Sequence, residues 1–151
     1  MEIEFEVNGR PGAEEVREVT LSVGWHDPAR HGLDVIQRIW DQAPCTVLAR
    51  EGSKLVGMCR AFWDGGRTAT IANMVVRPEY QGQGIGTRLM ELIMGQLAKL
   101  AVKRITLDSA VGKEAFYERF GFQVRDTVTP MILRREEAGT EGAEGCTGIG
   151  R

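Results

Sequence analysis

"MVVRPEYQGQGIGTRLMELIM", residues 74–94, runs from an apolar, β-branched segment through three alternating glycines, Gly82, Gly84 and Gly86, into a helical pattern. A strand that turns through glycines into a helix leaves backbone N–H groups uncovered at the positive end of that helix. Such a turn suits an anion, above all a pyrophosphate. Past the turn, Ile85, Leu89, Leu92, Ile93, Leu97 and Leu100 share one face, while Arg88, Glu91 and Lys99 fall largely outside it.

Working outward, "EIEFEV" alternates charged and apolar residues and predicts a half-buried strand ending at Asn8-Gly9. Residues 12–22 predict a helix. In "HDPARHGLDVIQRIWDQAP", Asp27 before Pro28 has the form of an N-cap with proline at the first helical position, and Leu33, Ile36, Trp40 and Ala43 recur at helical spacing. "CTVLAR", "KLVGMCRAFW" and "TATIANMVV" predict three strands of an antiparallel meander, joined at Glu51-Gly52-Ser53 and at "DGG". After the long helix come a short strand "RITLDS", a short helix over 112–119 and two closing strands, "FQV" and "MILRR". The strand-helix-strand unit around the glycine turn predicts a parallel pair. Residues 136–151, glycine-rich and acidic, predict a disordered tail.

The glycine spacing separates the candidate anion sites. A P-loop needs four residues between its glycines and then Lys-Ser/Thr, and neither occurs. A dinucleotide turn wants glycine where Thr87 stands. "RPEYQ" also intervenes before the first glycine, and an antiparallel meander is not how a doubly wound sheet begins. Asp108, near the end of the next strand, keeps that reading open as the weaker alternative.

"VVRPEYQGQGIGTRLM" resembles the acetyl-CoA-binding motif of the GCN5-related N-acetyltransferases (GNAT), Gln/Arg-x-x-Gly-x-Gly/Ala, carried here by Gln81, Gly84 and Gly86. "AFYERFGF", residues 115–122, is similar to that family's Phe-Tyr-x-x-x-Gly-Phe segment. Two motifs about thirty residues apart, in the expected order, are far more specific than one glycine turn. The resemblance covers residues 1 to about 135, taken as one acetyltransferase domain. It implies a mixed α/β fold with a mostly antiparallel central sheet, one splayed parallel strand pair and flanking helices.

The resemblance also implies roles. Met74, Val75 and Val76 would offer backbone groups to the pantetheine arm, a bulge near Val75 would present a carbonyl-polarising N–H, and Gln81, Gly82, Gln83, Gly84, Ile85, Gly86 and Thr87 would wrap the pyrophosphate. Tyr117 would be the general acid for the departing thiolate, although the same ring also suits packing beside the pantetheine or in the core. Many relatives carry an acid where this chain has Asn73, which cannot take a proton but could hold the amine or a water. Trp25 and His26, between the first two helices, are candidates for the acceptor pocket. Trp63 is left open, and Trp40 and Cys59 read as core. Asp64 reads as a turn residue and Arg88 as either a phosphate contact or a solvated one. The reaction implied is direct transfer of acetyl from acetyl-CoA to a primary amine of a small molecule or a protein. The rival readings are an acetyl-CoA sensor or partner subunit without turnover, and use of another acyl donor.

The 151 residues, 42% of them hydrophobic, suit a single core, since a domain of this length buries roughly 70% of its unfolded surface. A net charge of −2 supplies no excess of cations for a polyphosphate backbone, so nucleic acid is not an expected partner. Cys45, Cys59 and Cys146, odd in number and widely spaced, argue against a disulfide framework or a zinc site and read as free thiols in a reducing, cytoplasmic setting. No metal is expected. No apolar run reaches a membrane span of about eighteen residues, and "MEIEFEV" lacks the form of a signal peptide. Dimers are common in the family that the motifs resemble, but no feature here specifies an interface.

Overall fold

The computed structural model describes residues 2–135. Among these residues five strands form one sheet in the order β1-β2-β3-β4-β5: β1 Glu4–Val7, β2 Cys45–Glu51, β3 Lys54–Trp63, β4 Thr68–Val76 and β5 Arg104–Leu107. The first four are antiparallel and β4 pairs with β5 in parallel. The parallel pair follows from the connection, because a parallel neighbour needs a crossover and the fifteen-residue helix α3, Ile85–Lys99, supplies it.

α3 covers one face of the sheet. Its stripe Ile85, Leu89, Met90, Ile93 and Leu97 is buried against Val47, Val56, Cys59, Ala61 and Ile71, each large side chain contributing roughly 1.5–3 kcal/mol. Close approach is allowed by Gly57, where a Cβ would stand 3.2 Å from a Leu89 methyl. Helices α1, Ala13–Ser22, and α2, Leu33–Gln42, cover the other face, with Val16, Val19, Ile36 and Trp40 against Leu48, Leu55, Met58 and Val75. Arg50 clamps α1 to the sheet by a two-pronged contact with Glu15 at 2.9 and 2.8 Å, and its Nε lies 3.2 Å from Glu6. Among the described residues no helix is long and apolar enough to cross a membrane.

Two predicted elements differ. Asp27 caps a separate 3-10 turn, Pro28–His31, by accepting from the Ala29 N–H at 2.9 Å, and α2 begins only at Leu33. Gly32, at φ 106, breaks the path between them. The closing strands read from "FQV" and "MILRR" do not form, and β5 pairs only with β4. Their alternation finds no apolar face to cover: Val124 is 70% exposed, Met131 91% and Leu133 77%. Among the described residues after β5, only the short helix α4, Glu114–Glu118, is added. The tail expectation for 136–151 lies outside the described residues.

Candidate active site

β4 changes character part-way along. Thr68–Ile71 pairs with β5 residue by residue up to Ile71 opposite Leu107, and there the parallel ladder stops. On the other edge, Met58 faces Val75 and Arg60 faces Ala72, so Asn73 and Met74 together oppose Cys59. This is a β-bulge, with Asn73 in the left-handed region at φ 56, a conformation asparagine tolerates better than most residues. Bulge and splay coincide and open a cavity of about 850 Å³ between Ala72–Val76 and the segment after Leu107.

The bulge decides which backbone groups face the opening. Along an extended strand the N–H and C=O of one residue point to the same edge, and successive residues alternate. Arg77 donates its N–H to Val56 of β3, and the Val75 carbonyl lies 3.3 Å from where a Gly57 Cβ would stand. Val75 is thus turned toward β3, which leaves the backbone of Met74 and Val76 for the open edge. The Val76 carbonyl accepts from Gln81 Nε2 at 2.9 Å, so Gln81 ties the glycine turn to the strand.

The turn delivers α3 with its first N–H groups uncovered. Gly84 is the N-cap at φ 86, has no side chain to cap with, and the first turn carries no acid. The first helical hydrogen bond is Arg88 N–H to the Gly84 carbonyl, so the amides of Ile85, Gly86 and Thr87 have no partner within the helix. All three residues line the cavity. A Cβ on Gly86 would stand 3.4 Å from Phe116, which explains why the turn and α4 come so close. Charge favours an anion here too: Lys113 and Arg119 line the cavity, and Asp108 is the one carboxylate among the described lining residues. Arg119 donates to Thr87 Oγ1 at 3.2 Å and lies over Phe116 and Phe120.

Tyr117 lines the same cavity from α4, edge-on to Phe116 at 5.0 Å and Phe122 at 6.4 Å. Burial, with the Cys59 sulfur as a smaller influence, pushes its hydroxyl up to about 12, so it holds its proton at neutral pH. On the other flank, Asn73 accepts a 2.5 Å hydrogen bond on Oδ1 from Arg60 Nε. Arg60 is 8% exposed, its guanidinium 4.5 Å from the Phe62 ring and 5.9 Å from that of Trp40. Burial pushes it down to about 10, still charged at neutral pH.

Nine of the ten residues expected around the donor line the cavity: Met74, Val75, Val76, Gln81, Gly82, Gly84, Ile85, Gly86 and Thr87. Gln83 does not; it is exposed and its Nε2 lies 3.5 Å from the Glu79 carbonyl. Of the acceptor candidates, Asn73 and Trp25 line the cavity, whereas His26 is exposed and outside it. Trp63 donates to the Gly66 carbonyl beyond the lining, Asp64 accepts from Gly66 and Thr68 as a turn residue, and Arg88 pairs with Glu91 at 3.2 Å. Arg60, Tyr80, Lys113 and Arg119 were missed. Tyr80 lines the cavity and donates to Glu51, with Lys54 5.4 Å from its ring.

A family model described as "Acetyltransferase (GNAT) family" matches residues 14–122. The chain belongs to the GNAT acetyltransferase family. A curated relative, an uncharacterized N-acetyltransferase ycf52 of Pyropia yezoensis, is 39% identical over 70 residues, 46% of this chain and 40% of that one. The ycf52 protein of Gracilaria tenuistipitata var. liui is 36% identical over 105 residues, covering 67% and 56%. These matches span little more than half of those relatives' length, or less. A GNAT-family protein from Streptococcus pneumoniae superposes with a TM-score of 0.74 at 24% identity, covering 89% of this chain and all of that one, which supports the GNAT fold. The sheet's antiparallel first four strands set aside the doubly wound alternative.

Proposed function

We propose that this GNAT domain, residues 1–135, transfers acetyl from acetyl-CoA directly to a primary amine of a small molecule or a protein within a ternary complex. The observation that carries the reading is the convergence on one cavity of an uncapped helix N-terminus, an open strand edge and a protonated tyrosine. The residues fit the donor: the amides of Ile85–Thr87 with Lys113 and Arg119 suit its phosphates, and the open backbone of Met74 and Val76 suits an amide-bearing arm. Acetyl-CoA supplies the thioester. The protein aims a backbone N–H of β4 at its carbonyl as charge develops there, an oxyanion-type contact needing no side chain.

Tyr117 acts mainly as a hydrogen-bond donor to the departing sulfur. Its hydroxyl, near 12, is a weaker acid than an ordinary thiol near 8.5, so complete proton transfer to a thiolate is uphill. Amine deprotonation is assigned to water in the open cavity, with Asn73 standing where an acid would serve as base. Cys45 and Cys59, buried free thiols, are compatible with a reducing compartment. The reading without turnover draws on the same Asn73. Calorimetric titration with acetyl-CoA, with NAD and ATP as controls, tests the site, and coenzyme A release over a panel of amines tests turnover. Micromolar binding of acetyl-CoA alone, followed by release, is the expected result. Equal binding of NAD refutes the site, and binding without release on any amine refutes the enzyme.

A further inference from the structure

The fold constrains the chemistry of the Asn73 side chain. Its amide has one acceptor and one donor end, and a guanidinium can only donate, so the 2.5 Å contact with Arg60 Nε fixes Oδ1 toward Arg60. What Asn73 has left for the cavity it lines is the Nδ2 amino group, which donates to no described residue. The orientation is held from behind, because Arg60 is buried, sandwiched with Phe62 and Trp40, and pairs with no described carboxylate. A donor backed by a cation is a poor seat for an ammonium and a good one for an oxygen.

We infer that the Arg60–Asn73 couple recognises an oxygen acceptor on the amine substrate, so that the preferred acceptors are amines with a carbonyl or carboxylate on the adjacent carbon. The inference rests on the transferase reading above and names the substrate class for it. Position sets the span. Asn73 and Met74 are neighbours at about 3.8 Å between Cα atoms, and Met74 backbone faces the opening where the thioester would lie. An oxygen held by Asn73 is then on the order of 4–7 Å from the reacting carbonyl. That distance matches an amine and an oxygen separated by a single carbon-carbon bond. A lysine side chain, whose own carbonyl is several bonds further away, does not match. Trp25, on the same α1/α2 side of the sheet, bounds this part of the cavity.

The test compares kcat/KM for glycinamide, free glycine and ethylamine, each corrected for its unprotonated fraction, in the full chain and in Asn73→Gly. Glycine keeps the left-handed backbone without strain and removes only the amide. The native protein is expected to prefer glycinamide or glycine over ethylamine by about 10-fold or more, and Asn73→Gly to bring that ratio within about 2-fold. Which of the two oxygen-bearing acceptors is better tells whether an internal carbonyl or a free carboxylate is the natural partner. Arg60→Met is expected to raise KM for the better acceptor more than it lowers kcat, and Arg60→Lys, which still donates to Oδ1, to restore part of it. Equal use of all three acceptors, or a ratio unmoved by Asn73→Gly, overturns this inference and leaves the transferase reading standing. No coenzyme A release with any of the three, while another amine of the panel is turned over, overturns this inference alone; no release with any amine overturns both.

Discussion

The two halves of β4 share one strand and differ in nearly every physical respect. Thr68–Ile71 is hydrogen-bonded on both edges, to β3 and to β5, with Ala69 and Ile71 buried to 2% or less. Ala72–Val76 is bulged on one edge, open on the other and lines a cavity. Pairing on both sides gives rigidity and leaves no backbone donor to spare, whereas the open half exposes donors that a substrate can use. The first half fixes where the second half stands.

That contrast can be broken at each end. Ile71→Ala is expected to cost about 2–5 kcal/mol in urea unfolding, as a cavity in a packed core does. Met74→Ala, in the open half and only partly buried, should cost about 1 kcal/mol. Equal losses would erase the distinction. At the turn facing the open half, Gly84→Val forces a β-branched residue to φ 86, and calorimetry should show acetyl-CoA affinity reduced about 100-fold, roughly 2.7 kcal/mol.

Tyr117→Phe sharpens the picture. A hydroxyl that donates without handing over its proton should be worth about 10- to 100-fold in kcat with little change in acetyl-CoA affinity. Unchanged turnover across pH would leave Tyr117 as packing alone.

A comparably small effect belongs to the far side of the sheet, where Arg50 holds α1. Its guanidinium, through the direct hydrogen bonds, keeps the Glu15 carboxyl below its ordinary value of 4.5, despite some opposing burial. A depressed folded value means that the unfolded chain binds the proton more readily, so this stabilisation is full above about pH 5 and fades as pH falls through the folded value. Glu15→Gln should cost about 1 kcal/mol near neutral pH, and the difference from the native chain should shrink in unfolding curves on acidification below about pH 4.5.

Much of the fold was legible because it is periodic. β3 and β4 occupy the predicted residues 54–63 and 68–76, and α3 opens at the predicted Ile85. The two motifs bring Tyr117 and the glycine turn together in the reading of the sequence, and both line one cavity. His26 and Gln83 lie outside the cavity lining because nearness along the chain does not give direction: an exposed loop residue has no packing to turn it inward. The closing strands were misread for a related reason, since alternation states what a strand would bury and not whether a surface exists to bury it. Arg60 carries a readable signal, an arginine on the same strand parity as Met58 and Phe62, although charge usually means solvent.

The sequence by itself determined most of the elements, the family and the glycine turn that opens α3, because these depend on local spacing and on which residues tolerate which backbone angles. Tertiary structure alone decided where β4 leaves β5, which amides the bulge turns outward, and which end of Asn73 faces the cavity. Those depend on register across strands and on a hydrogen bond between residues thirteen positions apart, and neither is encoded in any one segment of the chain.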